Sequence, residues 1–319
     1  MTVLQLENQH YVPKFLLRNF VDSDGKAFSF GIQNDEHKKR PPKQIAGRAN
    51  FNELMVGGHP TSFEDRFESL ETAAAPVVKK IIQAVALTGI SENERLALAR
   101  FIISQSFRTD AYRTGLAMNG QSISIGDHLA GMWGSIEPLS KYLLARRWAL
   151  MVIEDNSVFY LGDNPVVLQS TEHPGKAMEL GFDVAGTEVF MPLSPKQALY
   201  LPCSTIAAEI LNGYKYAANI MMSSAFSAPF SGFPITATQE QQVVADRVLE
   251  SAGPLYRALT LGCPLKADEG NVENLNYLQC AWASHEIFSN KSDFSFAERA
   301  FCENPQYRNV LTVRQILVA

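Results

Sequence analysis

Thr61-Ser62-Phe63-Glu64-Asp65-Arg66-Phe67-Glu68-Ser69-Leu70-Glu71-Thr72-Ala73-Ala74-Ala75-Pro76-Val77-Val78-Lys79-Lys80-Ile81 is the stretch on which the fold turns. Phe63, Phe67, Leu70, Ala74, Val77 and Ile81 recur at helical spacing and make one apolar stripe. Thr61-Ser62-Phe63-Glu64 fits a capping box, in which hydroxyl and carboxylate satisfy each other's free backbone donors. Pro76 removes one helical hydrogen bond and predicts a kink near Thr72–Ala73, and Gly89 is the expected terminator. A second box, Ser91-Glu92-Asn93-Glu94, opens another helix with Leu98, Ile102 and Phe107 on its core side. A third helix is predicted from Ile125 to Arg146, weakened by Gly131 and Gly134 and open to division at Pro138.

On both sides of this helical region the pattern changes to strands. Upstream, Val21-Asp22-Ser23-Asp24-Gly25-Lys26 carries an Asp-Gly turn, and Ala27-Phe28-Ser29-Phe30 follows with alternating aromatics, which predicts a β-hairpin. Asp22-Ser23-Asp24-Gly25 lacks the third acidic ligand and the closing Glu of a calcium loop, so it reads as a turn. Downstream, Trp148–Ile153 and Val158–Leu161 flank one turn, 154–157, while Glu188–Leu193 and Ala198–Pro202 flank another, Ser194-Pro195-Lys196-Gln197. Two hairpins are expected there, with helices at Gln239–Ala252 and Val272–Ser289. Strands, then helices, then strands mark an α+β protein: a helical middle region packed against antiparallel strands from the N-terminal and C-terminal parts. One domain, 1–319, is expected, with a strand-rich part at 1–60, a helical part at 61–147 and a mixed part at 148–319.

Of the 319 residues, 46% are hydrophobic and 19% charged, enough apolar side chains for a sizeable core. The longest apolar run, Val77 to Leu87, is interrupted by Lys79, Lys80 and Gln83 and falls short of the roughly 20 residues a membrane helix needs. The opening MTVLQLENQH has neither the basic nor the apolar part of a signal peptide, so a cytoplasmic protein with no membrane partner is expected. Cys203, Cys263, Cys280 and Cys302 form no C-x-x-C pair, against a zinc ribbon or a disulfide scaffold. A net charge of −5 gives no global attraction to nucleic acid. His37-Lys38-Lys39-Arg40-Pro41-Pro42-Lys43 is a local basic loop, either a nucleic-acid contact or simply solvated.

The chain contains no P-loop, no dinucleotide-binding glycine turn, no H-E-x-x-H and no G-x-S-x-G elbow, which removes the activities that depend on those local geometries. Two segments stand out instead. Gln9-His10-Tyr11-Val12-Pro13-Lys14-Phe15-Leu16-Leu17-Arg18-Asn19-Phe20 sets polar groups among large apolar anchors, with Pro13 suited to open a short helix reaching Asn19. Asp163-Asn164-Pro165 follows the predicted strand ending at Leu161; its carboxylate either faces a ligand from a strand end or closes an Asx-type turn.

These segments carry a resemblance. The chain resembles a bacterial family of unknown function (domain-of-unknown-function family 4238) with a His-Tyr-Val-Pro opening and a Leu-Arg-Asn-Phe continuation. Phe107-Arg108-Thr109-Asp110-Ala111-Tyr112-Arg113, Gly162-Asp163-Asn164-Pro165-Val166 and Pro192-Leu193-Ser194-Pro195 match it as well. Relatives often have Ser where this chain has Gly162. The resemblance implies no established activity.

A candidate site follows from the polar residues. Glu64, Glu68 and Glu71 share a face of the first long helix, and Gln105, Arg108 and Tyr112 make a polar line on the second. Antiparallel packing would bring Glu68 or Glu71 to Arg108, either as a boundary ion pair worth under about 1 kcal/mol when exposed or as the wall of a site. In the second case His10, Asp163, Glu71 and Arg108 form the catalytic group, with Gln9, Tyr11, Arg18, Asn19, Asn164, Lys38, Lys39 and Arg40 in binding roles. His10 would exchange a proton, a carboxylate would orient it or hold Mg²⁺ or Mn²⁺, and Arg108 would bind phosphoryl oxygens. The expected function is then a hydrolase or phosphodiesterase-like reaction on a nucleotide or nucleic acid. A non-catalytic ligand- or nucleic-acid-binding module, and a structural interaction protein whose polar residues are a satisfied core, stay open beside it. Trp282, His285 and Phe288 read as core packing on the last predicted helix.

Overall fold

The computed structural model describes residues 8–118, 124–170, 180–226 and 237–308. The N-terminal part contains β1 (Asn8–His10), α1 (Lys14–Leu17), β2 (Ala27–Gly31), β3 (His37–Arg40), β4 (Gly47–Ala49), β5 (Glu53–Val56) and β6 (His59–Ser62). Pro13 sets the entry angle of α1: its carbonyl accepts from Leu16 and Leu17, and a 3₁₀ turn continues the helix to Phe20. β1 pairs antiparallel with β4, β2 with β3, and β5 with β6. The turn at Asp22–Lys26 forms, with Asp22 N–H donating to the Lys26 carbonyl, but it only leads into β2. The hairpin partner of β2 is the basic segment itself. His37–Arg40 is therefore a strand, not the expected loop.

The helical middle is α2 (Glu64–Ala84), α3 (Glu92–Arg108), α4 (Asp110–Met118) and α5 (Ile125–Ala145). The predicted stripe faces inward: Phe63, Phe67, Ala74, Val77 and Ile81 are buried, and full burial of such side chains is worth about 1.5–3 kcal/mol each. α2 runs through Pro76, and α5 runs undivided through Pro138. The first expected capping box is absent because Thr61 and Ser62 lie in β6, paired with Leu54 and Glu53, which leaves Phe63 as the cap. The second box is present at Ser91 and Glu94. α2 ends at Val85, in the left-handed region at φ 50°, ahead of the expected Gly89.

The C-terminal part contains β7 (Ala149–Val152), β8 (Leu161–Gly162), β9 (Val167–Ser170), β10 (Thr187–Ser194), β11 (Gln197–Leu201), α6 (Ser204–Phe226), α7 (Gln239–Leu261), β12 (Pro264–Lys266), α8 (Glu269–Trp282), β13 (Glu286–Ser289) and α9 (Ser295–Glu303). β12-β7-β11-β10-β9 is a five-stranded sheet, antiparallel except for the β12–β7 pair, and β3-β2-β13-β8 is a four-stranded sheet. β10 and β11 make the hairpin expected at 188–202. The other expected hairpin does not form. Lys196 gathers the carbonyls of Asp155 and Ser157, and Phe159 N–H donates to the Pro195 carbonyl, so β7 stays with β11 while the chain leaves for the second sheet as β8. The helix expected at 272–289 stops at Trp282, and its last residues become β13, between β2 and β8. α6 has no counterpart among the predicted elements; it stacks on α7, with Tyr214 and Tyr256 rings 4.0 Å apart. One apolar core joins α2, α3 and α5 to the five-stranded sheet, giving the α+β arrangement.

Candidate functional site

The opening segment is sewn to distant parts of the chain. Gln9 donates to Glu53 and accepts from Asn52 N–H at 2.6 Å. His10 is buried and donates from Nε2 to the Pro42 carbonyl at 3.2 Å. Burial, with Lys14 and Arg108 adding to it, lowers the pKa of His10, so its ring is neutral at neutral pH. Tyr11 is fixed through its backbone, its N–H to Ala46 and its carbonyl to Gln105 Nε2 at 2.7 Å. Asn19 donates to the Leu193 carbonyl, while Arg18 is exposed.

Glu71 and Arg108 do meet. The Arg108 guanidinium is buried, pairs with the Glu71 carboxylate and lies 4.5 Å over the Phe67 ring. Burial raises the pKa of Glu71 even against the attraction of Arg108. Glu64 instead accepts from Asn52, and the Tyr112 hydroxyl meets His128 at 2.7 Å.

Asp163 reaches beyond its own turn. Its Oδ1 accepts from Ser284 N–H, and its Oδ2 from His285 N–H at 2.7 Å and Glu286 N–H at 3.4 Å. Asp163 N–H returns a bond to the Glu286 carbonyl. The carboxylate therefore takes the backbone donors that follow α8 and turns the chain into β13. Asn164 is buried, and its Oδ1 has no hydrogen-bond partner among the described residues. Gly162 sits against α8: an added Cβ would lie 3.0 Å from Gln279 Oε1 and 3.1 Å from its carbonyl oxygen. A side chain here would require Gln279 to give way by a few tenths of an ångström.

The clamp presents a side chain that the pattern reading took for core. His285 Nε2 stands 2.5 Å from Asp110 Oδ2, and Arg48 grips the same carboxylate with Nη1 on Oδ1 at 2.8 Å and Nη2 on Oδ2 at 3.0 Å. β4 supplies Arg48, the first turn of α4 supplies Asp110, and the residues between α8 and β13 supply His285. The His285 and Arg48 side chains keep 40% and 51% of their surface exposed, so the cluster opens to solvent. The hydrogen bond to Asp110 raises the pKa of His285 more than burial lowers it. Burial pushes the Asp110 carboxyl up, but His285 and Arg48 together hold it below the usual range. Both shifts favour the imidazolium–carboxylate form of the pair.

Electrostatic coupling ties this cluster to the expected residues. Burial raises the Tyr11 phenol far above its ordinary value, with Asp163, Glu286 and Asp110 adding to it against Arg48. Arg113 feels Arg108, Asp110 and Arg48, and its guanidinium holds Phe51 and Asn52. The motif segments thus converge, but the exposed chemistry at their meeting point belongs to Asp110, Arg48 and His285. Asp110 lies inside the Phe107–Arg113 motif, where the helix break at Thr109 was the available signal. His285 had none, because three residues after a buried Trp it fits a helical core stripe.

The basic strand is largely neutralised. Lys38 pairs with Glu36, Lys39 with Asp22 and Asp24, and Arg40 with Glu286. Among the described residues, no three His, Cys, Asp or Glu side chains come together as a metal site, and no helix is long and apolar enough to cross a membrane.

Fold and site define an α+β protein with a solvent-facing His–Asp–Arg cluster held by a backbone clamp. A family model described as "Protein of unknown function (DUF4238)" matches residues 8–128 and 117–293, and the chain belongs to that family. No curated protein and no solved structure matches the chain.

Proposed function

We propose that the protein is a hydrolase of the phosphodiesterase type, acting on a nucleotide or nucleic acid, with His285 as its proton-transfer group. One observation carries this reading: His285 Nε2 is bound to Asp110 at 2.5 Å, beside an Arg48 that is half exposed. With Nε2 engaged, Nδ1 is the nitrogen free to exchange a proton with a substrate, while Asp110 orients the ring and favours its charged form. Arg48 grips Asp110 by its outer nitrogens and keeps further N–H donors for phosphoryl oxygens. Water attacks phosphorus, the bond to the leaving oxygen breaks and the His285 proton passes to that oxygen, while the proton shed by the attacking water goes to bulk water, from which His285 is reprotonated. His10, Glu71, Arg108 and Asp163 then act behind this cluster as positioning residues.

A second reading has its own support. The same contacts tie β4, α4 and the start of β13 together, so the cluster also fits a purely structural clamp. Hydrolysis of bis(p-nitrophenyl) phosphate and of short oligonucleotides separates the two. The enzyme reading expects turnover that falls on the order of 10²–10⁴-fold in His285→Gln. Wild-type protein with no turnover above background, and a His285→Gln variant that only melts earlier, would leave the clamp.

A further inference from the structure

A cavity far along the fold from the His285 cluster is lined by an excess of positive charge. It lies where the C-terminal ends of α2, α5 and α7 meet the first turns of α3, with a volume of about 490 Å³, inside the roughly 300–1,000 Å³ range of small-ligand sites. Arg95, Arg146 and Arg147 line it, and no carboxylate is among its described lining residues; Glu92, on the first turn of α3, lies near Arg95 but outside the lining.

The three arginines are differently engaged. Arg146 is buried and commits its outer nitrogens to the carbonyls of Thr187 and Phe182, at 2.7 and 2.5 Å. Arg95 lays its guanidinium 5.0 Å from the Trp148 ring centre and donates to the Arg146 carbonyl at 3.2 Å, while its buried Nε has no hydrogen-bond partner among the described residues. Arg147 is exposed and, among the described residues, has neither hydrogen bond nor ion pair. Burial and the like charge of Arg147 work against the charge on Arg95, and the attraction of Glu92 offsets them only in part. The opposite rim is already built. Leu87 N–H donates to the Gly262 carbonyl at 2.9 Å, and Gly262, at φ +70°, leaves no room for a side chain against Leu87 and Thr88.

We propose that this cavity binds a small organic phosphate, with its phosphoryl group between Arg95 and Arg147. A carboxylate would balance one guanidinium. A phosphomonoester dianion balances both, and its oxygens suit forked donors approaching from two sides. Trp148 holds the Arg95 plane in place, so little side-chain freedom is lost on binding.

The test is the melting temperature of the full chain in inorganic phosphate against sodium chloride of matched ionic strength. The expected result is a rise of about 2 °C or more in wild type, retained in Arg48→Gln and abolished in Arg147→Gln. Arg147 is exposed, so its replacement leaves the fold intact; Arg95→Gln should abolish the rise as well. No rise in wild type, an equal rise in Arg147→Gln, or a rise lost in Arg48→Gln but kept in Arg147→Gln would overturn the proposal. The last outcome would place phosphate at the His285 cluster instead.

Discussion

Asp163 holds the backbone of His285 while Asp110 holds its ring: Asp163 Oδ2 accepts the His285 N–H at 2.7 Å, and His285 Nε2 lies 2.5 Å from Asp110. Two carboxylates from separate parts of the chain thus fix one imidazole from both ends. The Asp163 clamp also ends α8 and starts β13, so its loss reaches beyond the site. In Asp163→Asn one oxygen becomes an N–H group facing backbone donors, and charge-assisted bonds worth about 1.5–3 kcal/mol each are weakened or reversed. We expect a loss of about 2–4 kcal/mol in urea unfolding. A change below about 0.5 kcal/mol would show that the clamp does not hold β13.

The His285–Asp110 pair sets a pH signature. His285 has a folded pKa above its ordinary value of 6.5, so its contribution is complete below that value and is lost as pH rises through the higher folded pKa. Asp110 has a folded pKa below 3.8; its contribution is present above that value and is lost as pH falls through the folded one. The stability difference between wild type and His285→Gln should therefore be greatest near about pH 5–6 and shrink as pH rises above His285's folded pKa. A difference that grows with pH contradicts the assignment. The pKa of His285 is directly readable from its ring proton shifts, and Asp110→Asn should lower it.

Much of the architecture was legible because periodicity reports burial. The α2 stripe, the Ser91 box and the β10–β11 hairpin are local patterns that tertiary packing did not override. The misreadings occur where a distant group outcompetes the local partner. Lys196 draws 155–157 away from a hairpin, and Asp163 stops a helix whose apolar spacing continues to Phe288. The site suffered the same way. Glu71 and Arg108 could be paired from helix geometry alone, whereas the His285–Asp110 contact spans segments that share no pattern.

The Glu71–Arg108 pair separates packing from chemistry. Arg108 is buried, so Arg108→Met leaves Glu71 without its partner, at a cost of about 2–4 kcal/mol. The double variant Glu71→Met/Arg108→Met should recover most of that stability, since two apolar side chains can replace a buried ion pair. If the pair only fills space, the recovered variant also keeps whatever turnover wild type shows on phosphodiesters. Recovered stability with turnover still lost would give the pair a part in positioning the site.

Capping offers a smaller but sharper comparison. Ser91 accepts Glu94 N–H at 3.2 Å, and Glu94 Oε2 accepts Ser91 N–H at 2.8 Å. Ser91→Ala should cost about 1 kcal/mol. Thr61 fits the same sequence pattern but lies in β6 and bonds only to the His59 carbonyl at 3.3 Å. Thr61→Ala should change stability by less than about 0.5 kcal/mol. Equal losses in parallel urea titrations would mean that α2 starts at Thr61 after all.

Glycines along α5 should respond to alanine with opposite signs. Gly126, in its first turn, packs on the backbone of β5: an added Cβ would fall 1.9 Å from the Met55 carbonyl oxygen, a distance no side chain can tolerate. The strand or the helix must move, and Gly126→Ala should destabilise by about 2 kcal/mol or more. Gly131 and Gly134 are exposed, with nothing within 4 Å of the new Cβ. There alanine only removes backbone entropy from the unfolded chain, so each substitution should stabilise by about 0.5–1 kcal/mol. Thermal melts of the three variants read the sign directly. A stabilising Gly126→Ala would mean that α5 does not approach β5 this closely, and with it would go the packing that positions the helical layer beside β4 and Arg48.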